Sequence, residues 1–307
     1  MKSKTYTAAV IAAMMLTGSV IGGGAASAAK EEPKVNMDIK LLYNARQLPS
    51  DVQPEMVNGT TLVPLRVVSD KLGGKLTLTG KSISIVKEKS SLSLTIGSAT
   101  ATINGKPTNL PVPVKVVKGR TLVPLRVVGE GLGVVIEYDP DLRFVWIGNK
   151  NVPTLEEVVK GKFVDSAPFY KQYPELKSYL QNQIDSKHIA ILTKEDLPFA
   201  IHNATFYRMD LAYLDNQQVL QVASTDKGDL LTPFYYLTTN KNMPFRYRSA
   251  NNRFLKGDIR LNCYPIPSGR DWDTIGDAWE KFSSSEIDYV GMRLPLDTGV
   301  IIKNPTR

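Results

Sequence analysis

The chain runs to 307 residues with 38 Lys and Arg against 30 Asp and Glu, a formal charge of +8, and it carries one cysteine, Cys263. That length supports one large or two ordinary domains with hydrophobic cores of their own, while a lone cysteine excludes a disulfide-stapled monomer. The basic excess is confined to one half, 17 basic against 11 acidic residues over positions 29–150 and 19 of each over 151–307; it is mild, and with no recognised module beside it, it excludes a nucleic-acid partner.

The first element is an export signal. Lys2 and Lys4 give a positive start, Ala8 to Ile21 an apolar stretch, and "ASA" at Ala26 to Ala28 a small-residue cleavage site. The apolar part is too short and too rich in Ala and Gly for a bilayer span. We therefore expect a signal peptide over 1–28, a mature chain that is secreted, extracellular or wall-associated, and no integral membrane span after its removal. In that oxidising setting Cys263 is expected to be buried and inert.

Next comes a repeat. "VNGTTLVPLRVVSDKLGG" at Val57 to Gly74 aligns with "VKGRTLVPLRVVGEGLGV" at Val117 to Val134, an offset of 60 that Asn44 and Asn104 also keep. Within each copy an Asn-Gly or Lys-Gly step reads as a tight turn. Pro64 and Pro124 suit the first turn of a helix, where the missing donor costs nothing. Leu65, Val68 and Leu72, and likewise Leu125, Val128 and Leu132, then share one helical face. "KLTLTGKSISIV", "SLSLTIGSATATI", "TINGKPTNL" and "VVIEYDPDLRFVWI" predict strands and hairpins around them. Arg66 and Arg126 interrupt otherwise apolar helical text in both copies. They are expected to be structural, stems on the sheet and guanidinium groups on fixed partners, rather than a ligand-binding pair. The expected fold class is α+β: a duplicated small strand-hairpin and helix module over 29–150, followed by a separate α+β domain over 151–307.

These residues, with the intervening "LTIGSATATINGKPTNLP", resemble the stalk-like domain of bacterial exported proteins that is named after the N-terminal domain of copper amine oxidases. The resemblance covers about Asp38 to Gly148. It implies an extracytoplasmic module, common in Gram-positive bacteria and joined to many unrelated C-terminal domains. It does not imply oxidase chemistry: in the oxidases the quinone-forming tyrosine and three copper-binding histidines belong to a separate catalytic domain. This chain has only His188 and His202, and its tyrosines lack the Asn-Tyr-Asp/Glu setting. Hence no cofactor is expected and no metal site, and the protein is not an amine oxidase.

A polar linker, Gly148 to Glu157, leads to the second half, which holds 20 of the 25 aromatic residues and so has material for a core of its own. "YPELKSYLQNQI" predicts a helix, "HIAILT", "VLQVA", "FYYLTT", "MPFRYR" and "YVGMRLPL" predict strands, and "DWDTIGDAWEKF" predicts a helix with Trp272, Ile275, Trp279 and Phe282 on one stripe. No Cys-His nucleophile, serine elbow or HExxH pattern is present. A two-histidine metal site completed by Asp196 or Asp210, and a carboxylate pair drawn from Asp271, Asp273, Asp277 and Glu280 or from Glu195, Asp196 and Asp210, are the catalytic arrangements left open. The candidate ligand-binding surface is Tyr235, Arg246, Tyr247, Arg248 and Trp272, rings and guanidinium donors suited to a cell-wall polymer, a glycan or another envelope protein. Strand alternation forbids the first four from all facing one way. The expected function is a secreted or envelope-associated binding or structural protein, non-catalytic; a cell-wall-directed hydrolase of glycan or peptide is the alternative.

Overall fold

Local sequence decides most of the strand pairs. In the computed structural model, which describes residues 34–35, 37–180, 185–225, 234–250, 252–292 and 298–307, Asn104-Gly105 joins Thr100–Ile103 to Lys106–Asn109 with φ of 49° and 79°. That left-handed pair is what a two-residue hairpin turn of the primed type requires. Asn58-Gly59 and Lys118-Gly119 repeat it between Glu55–Val57 and Thr60–Pro64 and between Lys115–Val117 and Arg120–Pro124. The export signal lies outside the described residues.

Thr60–Pro64 and Arg120–Pro124 pair with each other at the centre of a four-stranded sheet, in the register Leu62↔Pro124, Val63↔Val123 and Pro64↔Leu122. Each strand runs into a short helix, Leu65–Lys71 and Leu125–Leu132. Pro64 and Pro124 sit just before the first helical residue, with φ of −64° and −55°, one step earlier than the sequence suggests. The fixed proline φ holds the strand-to-helix corner. Leu65 and Val68, and Leu125, Val128 and Leu132, are buried. At Gly131 a Cβ would press into the Leu92 side chain, so the second helix rests closely on the neighbouring sheet.

The expectation for Arg66 and Arg126 needs correction. Both are exposed; the Arg126 side chain is 88% exposed and its Nε lies 2.6 Å from Glu130 Oε1, one turn along the same helix. Leu65 and Val68 take the inward face, and position 66 points away from it. Neither arginine has its stem buried against the sheet.

A five-stranded antiparallel sheet follows, Lys75–Thr79, Ser82–Lys87, Ser90–Thr95, Thr100–Ile103 and Lys106–Asn109 in chain order. Its alternation is clean: Ile83, Ile85, Leu92, Leu94, Ala101 and Ile103 are buried, and the residues between them face out. Another four-stranded sheet places Phe144–Ile147 parallel to Lys40–Tyr43, with Ile136–Asp139 and Arg46–Leu48 outside them. Together these sheets and helices enclose a cluster that includes Val63, Val68, Ile85, Leu92, Val123, Val128 and Val145.

Beyond residue 150 two six-stranded sheets face each other. One is built on Ala204–Leu214 and Gln217–Ser224 and is extended at its edge by Lys34–Val35; the other sets Asp185–Leu192 parallel to Thr298–Lys303. Phe199, Phe206, Leu220, Phe234, Tyr236, Val290 and Ile302 fill the space between them. The helix expected at "DWDTIGDAWEKF" is instead a four-residue helix, Trp272–Ile275, and a 3-10 segment, Gly276–Lys281, because Gly276 takes φ 57°, ψ −147°, which breaks the turn. Phe282 is buried, but Trp272 is 55% exposed, so the apolar stripe is not continuous. The architecture is α+β with several sheets.

A further cluster draws on both sides of the linker. Leu42, Ala45, Leu142, Phe144 and Trp146 pack with Ala212, Leu214, Val219, Ala223, Leu261 and Cys263. Cys263 is buried there, and contacts gather Glu32–Arg307 into one unit.

Candidate functional site

Four of the five residues singled out in the sequence lie on one hairpin and separate into its two faces, while Trp272 stands apart at the start of the short helix Trp272–Ile275. Tyr235 and Tyr247 are register partners, as are Phe234 and Arg248 and Tyr236 and Arg246. The tyrosine face is covered by the helix Pro174–Leu180: Tyr179 meets Tyr235 edge-on at 4.9 Å, and Tyr235 is fully buried while Tyr247 stays 47% exposed. On the other face Arg248, 4% exposed, donates from Nε to Pro265 O at 2.9 Å and from Nη2 to Ile266 O at 3.0 Å and Asp271 Oδ2 at 2.6 Å. Arg246 Nε stands 3.3 Å from the other Asp271 oxygen. Tyr235 and Arg248 are therefore interior residues and are corrected from the candidate surface. Covering by a distant helix and pairing to a distant loop took them inside. Arg246, Tyr247 and Trp272 stay at or near the surface but do not form a cavity together.

Concavity lies elsewhere, where residues from both sides of the linker meet. A cleft of about 330 Å³ is lined by Asp38, Lys40 and Gln47 from the first part and by Lys194, Glu195, Arg208 and Asp210 from the second. A neighbouring one of about 460 Å³ shares Lys194 and Glu195 and continues to Tyr173, Asp288 and Lys303. The turn between them is held on several sides. Thr193 and Asp196 cap it reciprocally, and Gln47 Nε2 donates to Lys194 O at 3.0 Å and Leu197 O at 2.8 Å. Lys162 pairs with Asp196 at 2.7 Å, and Lys194 Nζ donates to Arg307 O.

Arg208 forms the floor. Its side chain is 1% exposed; Nε and Nη2 donate to the two oxygens of Asp210 at 2.6 and 2.8 Å, and Nη1 donates to Leu142 O at 2.6 Å and Asp38 O at 3.3 Å. The guanidinium also lies 5.5 Å from the Phe144 ring centre. A planar fork with five donors suits this simultaneous engagement of a carboxylate and two carbonyls. Arg208 and Asp210, two apart in a regular stretch of the strand Ala204–Leu214, share a face, and the register with Gln217–Ser224 shifts just before them, between Phe206 and Arg208.

Lys40 is the contrasting cation. It is half-buried on the strand Lys40–Tyr43, and among the described residues no hydrogen bond or ion pair reaches its ammonium. Burial pulls its pKa below the ordinary lysine range; Asp210 opposes this, Arg208 and Lys194 add to it, and Glu195 opposes it. In the second cleft the Tyr173 hydroxyl donates to Asp288 Oδ2 at 2.7 Å, and burial together with that carboxylate pushes its pKa up. Sequence reading missed Lys40 and Arg208. Only the Arg-x-Asp step in "FYRMDLAYL", a charge pair inside strand text, hinted at the second.

Residues 42–147 match the copper amine oxidase N-terminal domain. The matched segment supplies the Gln47 wall of the cleft and the Leu142 carbonyl, and it contains no histidine. The rest of the chain is unassigned, and no curated protein matches the chain. Among the described residues no group of three or more His, Cys, Asp or Glu side chains could hold a metal ion, and no helix is long and apolar enough to cross a membrane. His188 and His202 are both exposed, the latter in a turn with φ 49°.

Proposed function

We propose that the protein is a secreted or envelope-associated ligand-binding protein, with a stalk-like segment over 29–150 and a C-terminal part over 151–307 that meet at the ligand cleft. The segment uses one hairpin-and-helix unit twice. Supporting this is the register Leu62↔Pro124, Val63↔Val123, Pro64↔Leu122, which maps onto itself when each residue is exchanged for the one 60 positions away. Export rests on the Lys2/Lys4 start and the "ASA" site; mass spectrometry of exported protein is expected to find an N-terminus between about residues 27 and 31, and an intact Met1 would overturn it.

The observation that carries the binding reading is Lys40: a half-buried ammonium facing a cleft between the two parts, which among the described residues no hydrogen bond or ion pair reaches. An ammonium taken partly out of water is destabilised until an anion meets it. Arg208 and Asp210 are already spent on one another, which leaves Lys40 as the group ready for a small carboxylate or phosphate. The same pairing argues against Asp210 itself as the acid or nucleophile of the hydrolase alternative, because the Arg208 guanidinium engages both of its oxygens.

Binding should depend on pH in a defined sense. The folded pKa of Lys40 is lowered, so the unfolded chain holds the proton to higher pH, and stability of the ligand-free protein rises as pH climbs through the folded pKa. Anion binding runs the other way and fades over that window, below the ordinary lysine value of about 10.4. Titrating acetate and then inorganic phosphate into the protein at neutral pH, with the lysine Cε and Nζ resonances observed, should move Lys40 more than other lysines. Lys40→Met should abolish the saturable response while leaving the ligand-free protein at least as stable to heat as the parent, because the buried charge is gone. A Lys40 signal indifferent to both anions would sink the reading.

A further inference from the structure

We infer that the outward face of the five-stranded sheet is a second binding surface, for an extended uncharged glycan laid across the strands. In the register of that sheet Thr77 pairs with Ser84, Ser84 with Ser93 and Ser93 with Thr102, and one step along Thr79 pairs with Ser82 and Ser82 with Thr95. Two rows of hydroxyls therefore cross the strands side by side. Six of the seven are exposed and Ser84 is half-buried, and together they line a shallow groove of about 380 Å³.

The chemistry of the rows is selective. None of the seven positions is charged, whereas surfaces of small domains mix in charged residues at about a quarter to a third of positions. Lys75 and Val86, in the next row along, bound the face. Among the described residues the hydroxyls of Thr77, Ser84, Ser93 and Thr102 bond to no protein partner. Each offers one donor and two acceptor lone pairs, the same complement as a sugar hydroxyl, and strand pairing repeats them every ~4.8 Å across the sheet. That step is close to one hexopyranose along an extended β-linked chain, so a single strand of glycan could meet hydroxyls at successive sugars. The opposite face is fully committed to the core through Ile83, Ile85, Leu92 and Leu94, so the platform is rigid beneath its ligand. This surface is independent of the Lys40 cleft, which lies on a different sheet.

Co-sedimentation of the whole mature protein with chitin, a neutral β-linked glycan, tests the assignment. Binding is expected, and because the rows are uncharged it should persist at 0.5 M salt, roughly a Debye length of 4 Å, where adsorption of a basic protein is screened. Thr77→Val with Thr102→Val keeps strand propensity and shape while removing hydroxyls, and Ser84→Glu with Ser93→Glu introduces charge. Each pair is expected to weaken binding at least tenfold with an unchanged melting curve, while Lys40→Met leaves it intact. Absence of sedimentation with chitin, loss of binding at 0.5 M salt, or full binding by the Thr→Val pair would overturn it.

Discussion

Arg208→Met is expected to lower the unfolding free energy by about 3–5 kcal/mol, the range for removing one partner of a buried ion pair. The size comes from what is left behind. Asp210, 14% exposed at its side chain, loses both hydrogen bonds, and the carbonyls of Leu142 and Asp38 lose their donor. Unsatisfied buried acceptors keep the full desolvation penalty of their burial. Adding Asp210→Asn to Arg208→Met removes the orphaned charge and should recover part of the loss, a coupling that a double-mutant cycle reads directly. Denaturant melts at neutral pH check both. A single mutant as stable as the parent would mean that the guanidinium does not hold the two parts together.

Gly291→Ala should be nearly as severe. Gly291 faces Tyr235 across the strand pair, and a Cβ there would overlap the Tyr235 ring itself. The ring cannot retreat, because Phe245 stacks on it at 5.2 Å and Tyr179 closes it from the helix at 4.9 Å. Overpacking of this kind costs up to about 3 kcal/mol, or roughly 5 °C in melting temperature for a chain of this size. Gly299→Ala is the internal comparison: its Cβ would meet Leu180 Cδ1 at 2.6 Å, the far end of a flexible side chain, and the cost should be smaller. Thermal melts of the two variants side by side decide the point, and equal melting temperatures would show that the Tyr235 cage is looser than its contacts imply.

Both predictions concern residues whose importance is not local, which marks the limit of what the sequence discloses. The hairpins at Asn58-Gly59, Asn104-Gly105 and Lys118-Gly119 are legible because two residues determine the turn. Leu65 and Val68 are legible as buried because their helical spacing selects a face. Tyr235 looks like a ligand-facing ring until the helix Pro174–Leu180, some 55 positions earlier, is laid over it. Arg248 looks like an exposed donor until the loop at Pro265 and Asp271 arrives to accept from it. Lys40 is one of many lysines in the text; only the return of the strand Ala204–Leu214 beside residues 38–40 makes it a half-buried cation in a cleft. Arg66 and Arg126 show the converse, a repeated charge that the sequence presents as an anchor and that the helix turns outward to solvent.

The central claim is that the stalk-like segment and the C-terminal part build one cleft because a buried cluster and the Arg208 contacts join them. The most direct test introduces a specific protease site into the linker between residues 148 and 157, cuts the chain there, and follows the product by gel filtration and calorimetry. We expect the cut halves to elute together, to unfold in a single transition, and to retain the Lys40 response to acetate or phosphate. Two fragments that separate and melt independently would contradict the account.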